Sequence, residues 1–164
     1  MRRRVLGLQA LPILVGVVVG VLSSSQAPAQ AADSIVGTWT LNVAKSTYSP
    51  GPPPKSLTVK FEAAGDGIKS TSDTVAADGS SAHSEYTASY DGKDYPLKGM
   101  KDADSVALTR TDASTSVRSD KKAGKVVRTY TRTLSADGKT MTATITGSDE
   151  QGRTINNTVV LELQ

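Results

Sequence analysis

Asp137-Gly138-Lys139-Thr140-Met141-Thr142-Ala143-Thr144-Ile145-Thr146 is the stretch whose reading decides the fold. Apolar side chains at every second place, with Thr between them, have the period of a strand that buries one face and wets the other. The Asp-Gly ahead of it supplies a tight turn, because glycine takes the positive φ that two-residue hairpin turns need. Toward the N-terminus the same unit recurs behind Asp66-Gly67, Asp78-Gly79, Asp91-Gly92 and Ala123-Gly124, and Gln151-Gly152 follows it. Between these turns the chain reads as short strands over 36–44, 56–63, 68–76, 82–90, 93–98, 105–111, 115–121, 125–134, 139–147 and 153–163. Tyr86, Ala88 and Tyr90 share one face, as do Val106 and Leu108, and as do Ile155, Val159, Leu161 and Leu163. Hairpin after hairpin, with no convincing 3.6-residue period, predicts an all-β chain, an antiparallel up-and-down β-barrel of about 8–10 strands. A short helix fits only around 44–48. Ser49-Pro50-Gly51-Pro52-Pro53-Pro54-Lys55 cannot donate to a ladder at its prolines and reads as a stiff crossing from the first strand to the second.

The chain has 164 residues, no cysteine, one histidine and a formal net charge of +3. That length predicts one domain. The basic surplus is local. Arg2-Arg3-Arg4 open an apolar run over 5–22, followed by Ser23-Ser24-Ser25 and Ala29-Gln30-Ala31. A charged start, an apolar middle and a small-x-small site predict a secretory signal peptide over 1–31, cleaved after Ala31. Its removal takes three of the 19 basic residues and none of the 16 acidic ones, so 32–164 is formally neutral. A neutral domain leaves no footprint for nucleic acid, and Lys121-Lys122-Ala123-Gly124-Lys125 reads as a solvated hairpin tip. The missing cysteines exclude a disulfide framework, a thiolate metal site, a cysteine nucleophile and a lipidated cysteine. The expectation is a soluble barrel domain over 32–164, periplasmic or secreted, with no stable membrane insertion once the leader is gone.

The first strand reads Gly37-Thr38-Trp39-Thr40-Leu41. Gly-x-Trp at the start of an exported all-β chain resembles the opening of lipocalins and the wider calycin group. The resemblance implies a barrel around a cavity, a role in carrying small apolar ligands, and a structural place for Gly37 and Trp39 at one barrel end. A longer pattern, Gly37-Thr38-Trp39-x-Leu41-Asn42-x-x-Lys45-Ser46 and then Pro50-Gly51-x-Pro53-x-Lys55-Ser56, is similar to the opening of a group of exported bacterial proteins with no established activity. That likeness runs on to Tyr90-Asp91-Gly92-Lys93-Asp94-Tyr95-Pro96 and implies compartment and fold only. Fatty-acid-binding proteins carry a helical pair after the first strand, where this chain has its proline segment.

Arg128-Thr129-Tyr130-Thr131-Arg132 is the constellation with most chemistry. In a strand, Val126, Arg128, Tyr130, Arg132 and Leu134 share one face. Turned inward, that face would offer two guanidiniums and a phenol to a carboxylate or phosphate, since Arg presents a bidentate fork to oxyanions. This resembles the Arg-x-Tyr clamp of fatty-acid-binding proteins, which lies there on the final strand. Turned outward, it would leave Val127 and the Thr methyls inside and the arginines in water. Burying two unpaired arginines costs several kcal/mol each, and that cost favours the outward face.

Tyr86, Tyr90 and Tyr95 surround the Asp91-Gly92 turn, where they could rim a barrel mouth; packing across a hairpin is the commoner use. His83 with Glu85 and Asp78 falls short of the three or four ligands a metal needs, so no metal and no cofactor are expected. No Gly-x-Ser-x-Gly elbow accompanies the single His, and no enzyme is expected. Most aspartates fall in turns, where turn chemistry accounts for them. The function expected is non-catalytic binding of a small, hydrophobic or amphipathic ligand in the barrel, with Arg128, Tyr130, Arg132, Tyr86 and Tyr90 as candidate contacts. The alternative is an envelope interaction, inhibitor or stress-protective module with a filled barrel and no such ligand. A cavity of roughly 300 Å³ or more separates the two.

Overall fold

The computed structural model describes residues 34–164. The leader read over 1–31 lies outside them. Ten strands form one closed antiparallel barrel: β1 (Gly37–Leu41), β2 (Ser56–Ala64), β3 (Gly67–Val75), β4 (Ser81–Ser89), β5 (Tyr95–Lys98), β6 (Ser105–Arg110), β7 (Thr115–Lys122), β8 (Lys125–Leu134), β9 (Thr140–Ser148) and β10 (Thr154–Leu163). Each strand pairs with the next, and β1 also pairs with β10, Trp39 facing Leu163. Closure leaves no free sheet edge.

The all-β meander expected from the hairpin spacing is therefore what the chain forms. Two details differ. β1 stops at Leu41 because the Asn42 side chain accepts the Lys45 N–H and caps a 3-10 turn over Val43–Lys45. The β2–β3 turn is Gly65-Asp66, with Gly67 already the first residue of β3.

Antiparallel hairpins sort the connections onto two ends. The lower end carries the turns after β2, β4, β6 and β8. The upper end carries the 42–55 segment and the turns after β3, β5, β7 and β9. The lower half is packed solid by Trp39, Phe61, Ile68, Ala88, Leu108 and Leu134. Trp39 is fully buried, and its Nε1–H donates to the Ile35 carbonyl at 2.8 Å. The chain entering β1 is thus tied to the ring, and at Gly37 a Cβ would lie 2.7 Å from Leu163 Cδ1. The 42–49 part of the crossing runs along β10. Asn42 N donates to Val160 O, Thr47 and Thr158 exchange both backbone bonds, and Asn156 N donates to Ser49 O, all at 2.8–2.9 Å.

The face of β8 is where the energetic expectation fails. Arg128, Tyr130, Arg132 and Leu134 point into the barrel. Register explains it. Leu134 pairs with Met141, Arg132 with Ala143 and Tyr130 with Ile145. Directly opposed residues share a face, so burying Leu134 and the Met141–Ala143–Ile145 stripe draws both arginines inward. The penalty is reduced because Arg128 finds Asp102 and Arg132 finds the Tyr86 hydroxyl. Val126 leaves that face. Asp120 pairs with Arg128 and Lys121 with Val126, so Val127 is the extra residue of a β-bulge; Val126 is exposed and Val127 packs on the core.

The bulge presses β8 onto β9 at Gly147. A Cβ there would lie 2.2 Å from the Val127 carbonyl oxygen and 2.7 Å from the Arg128 Cα, and φ is +140°. Gly147→Ala should destabilise the barrel by about 1–3 kcal/mol, the scale of a strained backbone site. Urea unfolding checks this, and a loss below a few tenths of a kcal/mol would show that β8 can move aside.

Candidate functional site

The upper half of the barrel is hollow. A cavity of about 270 Å³ lies between β2, β3, β4, β7, β8, β9 and β10, with Tyr48 and Pro54 of the crossing segment and Met100 of the β5–β6 loop at its upper end. Its size falls close to the roughly 300 Å³ lower bound of ligand pockets, which suits a small molecule. One part of the wall is apolar, formed by Leu57, Val59, Phe61, Ile145 and Val159. The other carries three guanidiniums, those of Arg118, Arg128 and Arg132, with the Tyr130 phenol among them.

The three arginines are held in different ways. Arg118 stands on β7 opposite Tyr130 and is clamped by Asp120, its Nε and Nη2 donating to the two carboxylate oxygens at 2.6 and 3.0 Å. Its guanidinium lies between two aromatic faces, 4.8 Å from the Tyr86 centroid and 4.6 Å from that of Tyr130. Burial alone would lower its pKa; Asp120 and the two phenols outweigh that and raise it, so the cation is locked in place. Burial pushes the Tyr130 phenol up to about 12.

Arg128 is ion-paired with Asp102 of the β5–β6 loop, both largely buried. Its Nε is buried and has no hydrogen-bond partner among the described residues. Arg132 is 5% exposed. Its Nη2 donates to the Tyr86 hydroxyl at 3.1 Å, and its guanidinium rests 5.3 Å from the Phe61 ring centroid. Among the described residues no carboxylate pairs with it, and its Nη1 is buried without a partner. The Tyr48 hydroxyl is a third such atom, and burial pushes its pKa up to about 12. All three lie on residues that line one cavity.

The Tyr86 phenol answers to Arg132. Burial drives its pKa up, but the charges of Arg132 and Arg118, with hydrogen bonds to Arg132 and Ser70, outweigh burial and bring it below the usual tyrosine value. Tyr86 thus supports Arg132 from behind.

The candidates do not all converge. Arg128, Tyr130 and Arg132 line the cavity, and Tyr86 backs it. Tyr90 lies toward the lower end with the Arg110 guanidinium 4.4 Å from its ring centroid, and Tyr95 donates its hydroxyl to Asp91 at 3.1 Å. Tyr90 and Tyr95 therefore stay away from the cavity wall, and Tyr86 is buried behind it; the three do not form a rim at its mouth. His83 is exposed and its Nδ1 lies 2.7 Å from Asp73, its cross-strand neighbour.

Sequence reasoning passed over Arg118, Asp120, Asp102 and Tyr48. Alternation in Ser116-Val117-Arg118-Ser119-Asp120 already sets Ser116, Arg118 and Asp120 on one face, and all three are buried. Leu134 was a signal too, since an apolar strand end of the same parity speaks for an inward Arg132. Asp102, like Tyr48 beside its prolines, carries no sequence mark that separates it from ordinary loop residues.

No family model matches the chain, and neither does any curated protein. Among solved structures the chain is similar to the zebrafish ileal bile acid-binding protein complexed with cholic acid, with a TM-score of 0.48 and 15% identity over 80% of this chain and 99% of that one. It is also similar to the siderocalin Ex-FABP, with a TM-score of 0.35 and 11% identity over 80% of this chain and 74% of that one. At these identities the likeness concerns the course of the backbone and carries no site residue across.

Proposed function

We propose that this protein is an exported, non-catalytic binder of a small amphipathic molecule, held in the upper barrel with its anionic head on Arg132 and Arg128 and its apolar body against Leu57, Val59 and Phe61. The observation that carries this reading is Arg132, a buried guanidinium with no carboxylate partner among the described residues and an unused donor on a cavity wall. An unpaired buried charge is expensive, and a bound anion offsets that cost. Export rests on the leader-like pattern of residues 1–31. The cavity, at about 270 Å³, falls just under the roughly 300 Å³ dividing line, so it is the unused buried donors on its wall, more than its volume, that favour this reading over a filled barrel working through its loops.

The test is to titrate the protein with laurate and compare Arg132→Met. Calorimetry should show the variant weaker by on the order of tenfold to a hundredfold, the scale of a hydrogen bond to a charged group. The same variant should unfold at a higher temperature, because it removes an unpaired buried cation. Laurate affinity unchanged by Arg132→Met would sink the proposal.

A further inference from the structure

Three guanidiniums in the cavity are balanced by two carboxylates, and the two are mounted differently. Asp120 belongs to β7, is 0% exposed and is fixed by its ladder and by two bonds to Arg118. Asp102 is carried by the loop over 99–104. That loop leaves β5, the shortest strand, which pairs with β4 and with β6 over two residue pairs each.

The root of the loop is fastened independently of the cavity. Leu97 N donates to Asp104 O at 3.0 Å, Asp104 N to Lys121 O at 2.9 Å, and Ala123 N to the Asp104 carboxylate at 3.1 Å. Ala103 is buried in the core. On the other side Gly99, at φ +82°, lies so close to His83 that a Cβ would be 1.9 Å from its carbonyl oxygen. Between these roots Met100 packs against the edge of the core, and the 100–102 tip has three polar holds among the described residues. Asp102 pairs with Arg128, Met100 Sδ lies 3.6 Å from Arg118 Nη2, and Lys101 O accepts from Lys122 Nζ at 3.1 Å. Two of the three are contacts with cavity arginines.

We infer that Asp102 is a built-in stand-in for the anionic head of the ligand, and that an entering amphipathic anion displaces it from Arg128 and opens the 100–102 tip. This rests on the reading of the cavity as a binding site. An anion that reaches Arg132 Nη1 and Arg128 Nε arrives beside the Asp102 carboxylate on the same guanidinium. Two carboxylates in a largely buried site repel, so one of them leaves. The ligand has Arg132, which no carboxylate of the described chain uses, and among the described residues Asp102 has only Arg128. Asp102 is therefore the one to go, and its loop has the roots to let the tip swing without unravelling the barrel. Before the ligand arrives, Asp102 keeps Arg128 paired and Met100 over the cavity.

The inference makes Asp102 a residue whose removal improves binding, the reverse of an ordinary contact. Stopped-flow and calorimetry with laurate should show Asp102→Asn associating faster and binding about tenfold tighter than the native protein, the scale of one charge-assisted hydrogen bond no longer contested. In the native protein, hydrogen exchange at the 100–102 amides should speed up when laurate binds, while 1-dodecanol, which has the chain and no charge, should leave it unchanged. Equal or weaker laurate binding by Asp102→Asn, or slower exchange at 100–102 with laurate, overturns the displacement and leaves the binding site standing. No binding of laurate by native protein or variant overturns the site and the displacement together. Should Asp102→Asn fail to fold, the exchange measurement on the native chain decides by itself.

Discussion

Asp120→Ala should lower the unfolding free energy by about 3–5 kcal/mol, the usual cost of stripping one partner from a buried ion pair. Arg118 would keep its charge at 6% exposure with nothing to answer it except two aromatic rings and a sulfur. Each ring contributes on the order of 1 kcal/mol to a cation, which does not replace a bidentate carboxylate. A loss of that size is a large part of the roughly 5–15 kcal/mol that holds an ordinary domain together. Urea unfolding at neutral pH reads it directly. The double variant Arg118→Met with Asp120→Leu should recover most of the loss, because it removes the charge as well as its partner. A single-variant loss below about 1 kcal/mol would mean that Arg118 turns out to water, and the polar wall of the cavity would then not be preorganised.

Trp39→Ala should cost about 3–5 kcal/mol, the range for deleting a large buried ring. The ring is fully buried in the core cluster, on the face of its ladder partner Val59, where neighbours already fill the space and cannot collapse into a hole. The same change leaves the Ile35 carbonyl without its 2.8 Å donor. Trp39→Phe separates the two effects. It keeps most of the volume, loses the N–H, and should cost about 1–2 kcal/mol, near the value of one buried hydrogen bond and a small void. Thermal melts of the two variants check the order. Equal losses would place the whole role of Trp39 in its hydrogen bond, and a negligible loss for Trp39→Ala would remove its role in closing the lower end.

Both residues show how far local pattern reaches. Trp39 was marked by its place in Gly37-Thr38-Trp39, at the start of the first strand, and the structure buries it there. Asp120 stood in a strand read over 115–121, within one residue of β7, yet nothing local marked it as the partner that clamps the cavity residue Arg118. A hairpin count back from Ala123-Gly124 with regular pairing would set Arg118 opposite Thr129, on the other face from Tyr130. The bulge at Val127 shifts the register by one and sets Arg118 opposite Tyr130. A one-residue slip moves every side chain to the opposite face, and a bulge without a Gly or Pro at its centre leaves no local trace. Asp102 was hidden for a different reason. Its partner Arg128 is 26 residues away, and only barrel closure brings the β5–β6 loop over β8.

The sequence by itself determined the strands, their turns and the single meander, because side-chain alternation and Asp-Gly punctuation are local and repeat along the chain. It also determined that three groups on β8, Arg128, Tyr130 and Arg132, act as one face. Only the tertiary structure decided that this face points inward. Period two by itself does not set the phase, and on this strand alone the cost of burying two arginines outweighs the single inward vote of Leu134. The choice is made by neighbours: Leu134 and the Met141–Ile145 stripe must be buried, the register binds Arg132 and Tyr130 to them, and Asp102 and the Tyr86 hydroxyl make the burial tolerable.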